Sequence, residues 1–495
     1  MEPIGAVIAD SETPSFSAVT VHLLPGETAR PGELLLAEIE ESGVYGLGRV
    51  SEGREVNPYE AADLSHMRNL LGLESPSKRE DLPRKFRVVT LDLLEELLRN
   101  GSTFDIREPQ TIIPAGSRVF RASEEYAAIA VGLAPAGRPD SGALEIGTTV
   151  GTAKTRVALD ANKVLPRHTL IVGSTGTGKS WLRGVIAEEV ARSGIPQVNI
   201  DVHGEMIQAT DELKGKNFIP GKTLTVRLSS LTEPEVVALT PFLTELQEQI
   251  VRRAFLELRK RAGEKGFGIA ELVDEVERIG PLMEARTQTL NIVRARVEML
   301  RYVQVIGKGI DWSELLKPGS FINLDCRGLG HSELQAVAGA VVRELLGLRI
   351  AKLIPPVVLG IDEAHMFLPY GEDSPSSGVL REAIRWGRHY GLCLILVTPS
   401  PTDIDRRIVR ITNTRFIFAT EPDQLDALRG VFADAPQEII SRLPKLEQGT
   451  CLLTGSKETI RHAILVRVRA RKTTHGGATP DIIAETKRFG KSSRD

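Results

Sequence analysis

Cysteine is scarce in this sequence, with three in 495 residues: Cys326, Cys393 and Cys451. They stand far apart, without metal-ligand spacing, each inside an apolar run, which points to buried thiols in a reducing compartment. Long hydrophobic runs are missing too. No stretch approaches the roughly 18 apolar residues of a membrane span. The start, MEPIGAVIADSETPSF, lacks the basic residues and apolar core of a secretory signal, so a soluble cytoplasmic protein without membrane contact is expected. Nor is there an excess of positive charge. A formal net charge of -3 excludes a broadly basic protein that coats nucleic acid by charge alone, so any such contact has to be local. No repeat or low-complexity tract is present. What remains is ordinary hydrophobic and charged content, over a length that calls for two or three domains.

From residue 4 to about 57, short β-branched stretches alternate with Gly and Pro turns (IGAVIA, FSAVTVHLL, GELLLAEIE, GVYGLGRVS), the pattern of a small antiparallel barrel. A helical pattern interrupts it near 58–80. Strand signals return in KFRVVTL and GSRVF, a helix is expected at LDLLEELLRN (91–100), and the barrel is expected to close near 145, after the Gly- and Pro-rich stretch 132–142. After residue 165 the apolar segments TLIV, QVNIDV, LTVRLS, SFINLD, PVVLGID, LCLILVT, RFIFAT and TCLLTG are mostly separated by helical patterns, as in a parallel α/β sheet covered on both faces. Between the third and fourth lies a helical block, 231–315, opening with a capping box at Thr232 and Glu235. The expected division is a barrel over 1–145, a core over 146–230 and 316–460, a helical insertion over 231–315 and a C-terminal tail over 461–495.

The segment TLIVGSTGTGKSWL satisfies G-x-x-x-x-G-K-[ST], with an apolar strand before it and a helical pattern after it. Gly173, Gly176 and Gly178 let the backbone turn tightly, so that N–H groups of Ser174, Thr175, Thr177 and their neighbours point at phosphates beside a helix N-terminus. Lys179 reaches the β- and γ-phosphates of ATP, Ser180 coordinates Mg²⁺, and Trp181 follows in the first turn. PVVLGIDEAHMF ends a second strand in Asp362, which holds the metal, and Glu363, which orients an attacking water. VNIDVHGEM adds Asp201, His203 and Glu205 at a third strand end, where ligands of parallel sheets sit. No His or Cys partner lies at ligand spacing from His203, so it is a supporting or surface residue rather than a metal ligand.

Taken together, LPRHTLIVGSTGTGKS, IDVHGEM, IDEAHMFLP, REAIRWGRHYGL and RKTTHGG resemble the HerA family of hexameric DNA translocases, relatives of the FtsK chromosome pumps, along almost the whole chain. The resemblance implies a RecA-like P-loop ATPase core with a helical insertion, an α/β fold preceded by a small N-terminal β-barrel of the HAS-barrel type. It implies an ATP- and Mg²⁺-dependent homohexamer moving on double-stranded DNA, which supports end resection with the nuclease NurA alongside a double-strand-break repair complex. By position, Lys179 and Ser180 match the family's P-loop pair and Glu363 its catalytic glutamate. Arg167 matches an arginine brought to bound nucleotide, and Arg388 the arginine that approaches from the neighbouring subunit; a guanidinium suits that task because it stays charged and forms paired hydrogen bonds to phosphate. Val466 and Arg467, in the basic stretch VRVRARK, are candidates for a C-terminal chain folding back over nucleotide. Where many relatives carry Thr-Gln-Arg-Pro-Ser, this chain reads Thr398, Pro399, Ser400, Pro401, Thr402; the Gln is absent and Thr398 offers a hydroxyl.

In RecA-like rings the loops 366–378 and 400–412 face the pore. The second carries Arg406, Arg407 and Arg410, which suit phosphate tracking. A salt-bridged helix surface, with Arg406 and Arg410 sharing a face at i,i+4, is the competing reading. Two other functions stand beside the DNA motor: an ATPase of a secretion or conjugation-type system, and a nucleotide-gated structural ring.

Overall fold

The computed structural model describes residues 2–9, 13–39, 43–56, 86–100, 103–134, 142–151, 154–433 and 435–477. The helical pattern expected near 58–80 lies outside them, as does most of 132–142. The chain forms two compact units, residues 1–160 with 430–469, and residues 161–429 with those from Ala470 on.

In the first unit, β1 (Gly5–Ile8), β2 (Ala18–Leu23), β3 (Leu34–Ile39), β4 (Val44–Val56), β5 (Phe86–Asn100), β6 (Thr103–Arg107) and β7 (Arg118–Arg121) pair in the order β2-β1-β7-β3-β4-β5-β6. A further β2–β5 pairing closes six of them into an antiparallel barrel, and β6 extends the far end of β5. Val7, Val19, Val21, Leu35, Val50, Val89 and Leu91 fill the interior. The helix expected at 91–100 is part of β5. Its apolar residues fit a helical period, but Val89 and Leu91 already alternate into the barrel. A register shift opposite Leu47 and Gly48 then re-aims the strand. Glu95 and Glu96, which a helix would present to water, are buried. Glu96 accepts from Arg107 Nε at 2.7 Å and from the backbone N–H of Gln110 at 2.8 Å. Tertiary closure overrides local propensity here. The same unit adds β8 (Ala143–Thr149) and β9 (Arg156–Asp160), an antiparallel pair.

The second unit holds a parallel sheet of β10 (Thr169–Val172), β11 (Gln197–Asp201), β12 (Lys216–Phe218), β13 (Phe321–Asp325), β14 (Val357–Ile361), β15 (Leu392–Thr398) and β16 (Thr414–Ile417), in the order β12-β13-β11-β14-β15-β10-β16. Continuous apolar runs are what a sheet covered on both faces requires, and β10, β14 and β15 are buried at every residue. The expected strand over 224–229 is not in this sheet. Its backbone instead exchanges hydrogen bonds with Val305 and Gly307, and Leu224, Val226 and Leu228 are buried beside the helical block. In that block the Thr232–Glu235 capping box forms as expected. TCLLTG instead becomes β17 (Thr450–Gly455) of the first unit, where it pairs antiparallel with β18 (Ile464–Val468), which pairs in turn with β8. All three cysteines are buried free thiols, and burial pushes those of Cys326 and Cys393 up to about 12.

Candidate functional site

The chain leaves β10 at Gly173, whose φ of 152° and close approach to Phe418 exclude a side chain: an added Cβ would lie 2.6 Å from Phe418 Cβ. Ser174 N–H then donates to Ala419 C=O at 2.8 Å, which fixes the loop to the strand beside it. Gly176 and Gly178 adopt φ of 80° and 119°, and Gly178 caps the helix Lys179–Arg192. Lys179 Nζ donates back across the loop to Ser174 C=O at 2.9 Å, and Thr177 Oγ1 donates to the same oxygen at 2.8 Å. Burial lowers the Lys179 pKa, opposed by the nearby carboxylates of Glu363, Asp362 and Glu205. A glycine-rich loop opening a helix, with a lysine at its first residue, fits a polyphosphate.

The two carboxylates ending β14 differ sharply. Asp362 is 4 % exposed, and one of its oxygens lies 3.1 Å from Arg183 Nη1. Burial raises its pKa to about 6 despite Arg183; Glu205, Glu363 and Asp201 add to the rise. Glu363 turns outward at φ 49°. Its two oxygens lie 3.3 Å from His203 Nε2 and 3.3 Å from His365 Nδ1. Asp201 is fully buried and accepts the backbone N–H groups of Glu205 (3.0 Å) and Met206 (2.9 Å), so it shapes the turn that carries His203 and Glu205. Thr398 is buried and donates to Ser400 C=O at 3.1 Å, inside its own loop.

Three features escaped the sequence reading. Arg183, one helical turn after Lys179, is 3 % exposed and ion-paired. The segment 471–477 lies on the P-loop helix. Glu188 Oε1 accepts the N–H groups of Lys472 and Thr473, both at 2.7 Å. The His475 ring meets Trp181 edge-on at 6.1 Å, and Arg471 fills the space beside Gly184. The third is His168, buried next to Arg167. The tail candidates Val466 and Arg467 sit on β18 in the first unit; Val466 is buried, and Arg467 pairs with Glu447 at 2.9 Å.

The arginines occupy the other edge of the sheet. In register, Val172 pairs with Thr398, so the P-loop begins level with the last residue of β15. Arg388 lies in the last turn of the helix Ser377–Tyr390, which hands over through Gly391 to Leu392, the first residue of β15. The seven residues of β15 put about 20 Å between those ends. Arg167 precedes β10, on the same edge as Arg388, and donates to Lys163 C=O at 3.0 Å. Arg388 is exposed and forms no ion pair among the described residues.

At the P-loop edge the two expected pore loops meet. Tyr370 N–H donates to Asp403 C=O and Asp405 N–H to Leu368 C=O, both at 2.9 Å. Arg406 stacks over the Tyr370 ring at 4.7 Å. Arg407 pairs with Asp405 at 2.8 Å, and Arg410 is exposed.

A glycine cradle feeding a helix, with a paired aspartate and glutamate closing a strand two places away in the sheet, is machinery for cleaving nucleoside triphosphates. By fold and site the chain is a P-loop ATPase. Residues 144–345 match the family described as "Helicase HerA, central domain". The chain is 24 % identical over 374 residues to the DNA double-strand break repair helicase HerA of Sulfurisphaera tokodaii, covering 70 % of this chain and 73 % of that one. It is 22 % identical over 527 residues to the HerA of Pyrococcus furiosus, covering 94 % and 92 %. The chain is thus similar to HerA helicases along most of its length. Among solved structures, VirB4 of Thermoanaerobacter pseudethanolicus shares the fold with a TM-score of 0.53 at 16 % identity, covering 68 % of this chain and 99 % of that one. The bacterial conjugative coupling protein TrwBdeltaN70 does so at 0.51 and 13 %, covering 72 % and 94 %.

Proposed function

We propose that the protein is an ATP-driven DNA translocase or helicase that works as a ring of identical copies on double-stranded DNA. One observation carries the ring: Lys179, Asp362 and Glu363 end at one edge of the parallel sheet, while Arg388 and Arg167 stand at the other. Across a strand's length they serve not their own nucleotide but that of a neighbouring copy. The loop amides and Lys179 hold the phosphates, and Glu363, steadied by His203 and His365, orients water and takes its proton. Arg388 stabilises charge on the transferring phosphoryl group from next door. The residues fit Mg²⁺: Ser180 opens the helix with its hydroxyl, and Asp362 keeps an oxygen free of Arg183 to meet a metal-bound water. When bound, the ion neutralises charge on the β- and γ-phosphates.

DNA as the track is supported by the names of the HerA relatives. The joined loops with Tyr370, Arg406 and Arg410 support it further, since they combine an aromatic face with exposed cations. A hexamer, a NurA-like nuclease and a double-strand-break repair complex as partners rest on the family resemblance. The fold shared with VirB4 and TrwB keeps a secretion or conjugation ATPase as the second reading. ATPase rates with and without duplex DNA test the proposal. Stimulation that fades steeply with salt is expected, and a rate indifferent to duplex would remove the DNA motor.

A further inference from the structure

His168 stands where the two outward arginines meet the sheet. It holds φ at 59°, a region that a non-glycine residue enters only when its surroundings require it, and its side chain is 2 % exposed. Its Nδ1 lies 3.0 Å from the N–H of Leu394, a bond that only an unprotonated Nδ1 accepts. The proton therefore sits on Nε2, which donates to the Ile384 carbonyl at 2.9 Å. Both ring nitrogens are used and the tautomer is fixed. Burial holds the imidazole well below its usual range, at about 4, so it stays neutral in the working range of pH.

The partners give the contact its meaning. Leu394 lies one residue before the first β10–β15 pair, Thr169 with Ile395, so the imidazole supplies an acceptor just ahead of the backbone ladder. Ile384 lies in the helix Ser377–Tyr390, where its carbonyl also takes the N–H of residue 388. Gly387 permits the close approach: a Cβ there would lie 2.4 Å from Leu392 O and 3.2 Å from His168 Cε1. On the other side, the carbonyl of Arg167 accepts Asn413 N–H at 3.1 Å. One ring thus touches the helical turn of Arg388 and belongs to the residue next to Arg167.

We propose that His168 is a positioning residue, whose imidazole joins the turn carrying Arg388 to the backbone step carrying Arg167 and presents both guanidinium groups to the neighbouring copy as one fixed pair. The proposal rests on the reading that the site is shared between copies. Displacing a reacting group by about 1 Å costs on the order of a hundredfold in rate. A loosened pair therefore lowers kcat without weakening a copy's hold on its own ATP.

His168→Asn is the informative variant. Asparagine tolerates positive φ, its side-chain oxygen can take over the Leu394 N–H, and it is too short to reach Ile384. In the full-length protein, with cooperative thermal unfolding as the check on folding, kcat is expected to fall about ten- to hundredfold while the Kd for ATP stays within about twofold. The Arg167→Ala/Arg388→Ala background supplies the cycle. If His168 acts through the two arginines, adding His168→Asn there changes kcat by no more than about twofold. An unchanged kcat in the single variant, a loss confined to ATP binding, or losses that multiply in the triple variant each overturn the proposal. Full turnover in Arg388→Ala and Arg167→Ala would instead remove the shared site, and the role of His168 with it.

Discussion

The two edges of the parallel sheet are built on different terms. At the P-loop edge the groups of the nucleotide cradle meet partners within the chain: Asp362 with Arg183, Glu363 with His203 and His365, and Lys179 with its own loop. At the opposite edge Arg388 points into solvent from a helix that His168, Gly387 and Gly391 fix firmly in place. A rigidly mounted arginine without an ion pair among the described residues suits the proposed target outside its own chain. The contrast underlies the proposal of a shared site, in which the chain supplies a nucleotide cradle for itself and a finger for a neighbour.

Breaking either half gives the largest effects. Arg388→Ala is expected to lower kcat by about 10³-fold with ATP affinity retained, measured by steady-state turnover and by calorimetric ATP titration. At the cradle, Glu363→Gln is expected to cost about 10²- to 10⁴-fold in kcat while ATP still binds, because it removes only the group that orients water; retained turnover would exclude Glu363 from that role. Its neighbour behaves otherwise. Asp362→Ala leaves Arg183 buried without its ion pair and is expected to cost about 3–5 kcal/mol in denaturant unfolding, so a full-stability variant would contradict the pairing.

A smaller effect sharpens the contrast through pH. His168 titrates at about 4 when folded and near 6.5 as a free side chain, so between those values the unfolded chain binds the extra proton. Stability therefore falls as pH drops through that window, by on the order of 3 kcal/mol in all, and is unaffected by this group above it. Asp362, raised to about 6, contributes with the opposite sign but is present in both proteins. Urea unfolding from pH 7 to 4 should thus show a shallower acid-side slope in His168→Asn than in the parent; equal slopes would deny the neutral imidazole. Smallest is Arg406→Ala, expected to weaken duplex binding about equally for all sequences and to reduce the magnitude of the salt slope by about one. An unchanged slope would take Arg406 off the DNA path.

The cradle was legible in the sequence because its parts are local: a glycine loop, a lysine and a serine within eight residues, and an acidic pair closing an apolar strand. The barrel was legible as alternation, apart from β5, whose helical period hid a strand with two buried glutamates. The remaining site features depend on distant segments meeting. Arg183 acquires its partner from β14, and residues 471–477 reach the P-loop helix from the far end of the chain. His168 links residues more than 200 positions apart. Sequence spacing carries no record of such contacts, and Arg167 and His168 offered only their place ahead of the P-loop strand.

Mixing two inactive variants tests the shared site most directly. Glu363→Gln and Arg388→Ala copies are each expected to be nearly inactive alone. Assembled together, some neighbours pair an intact Glu363 with an intact Arg388, and ATPase activity is predicted to return in proportion to those pairs. Absence of any recovery, in assemblies shown to contain both variants, would contradict an arginine acting across the boundary between copies.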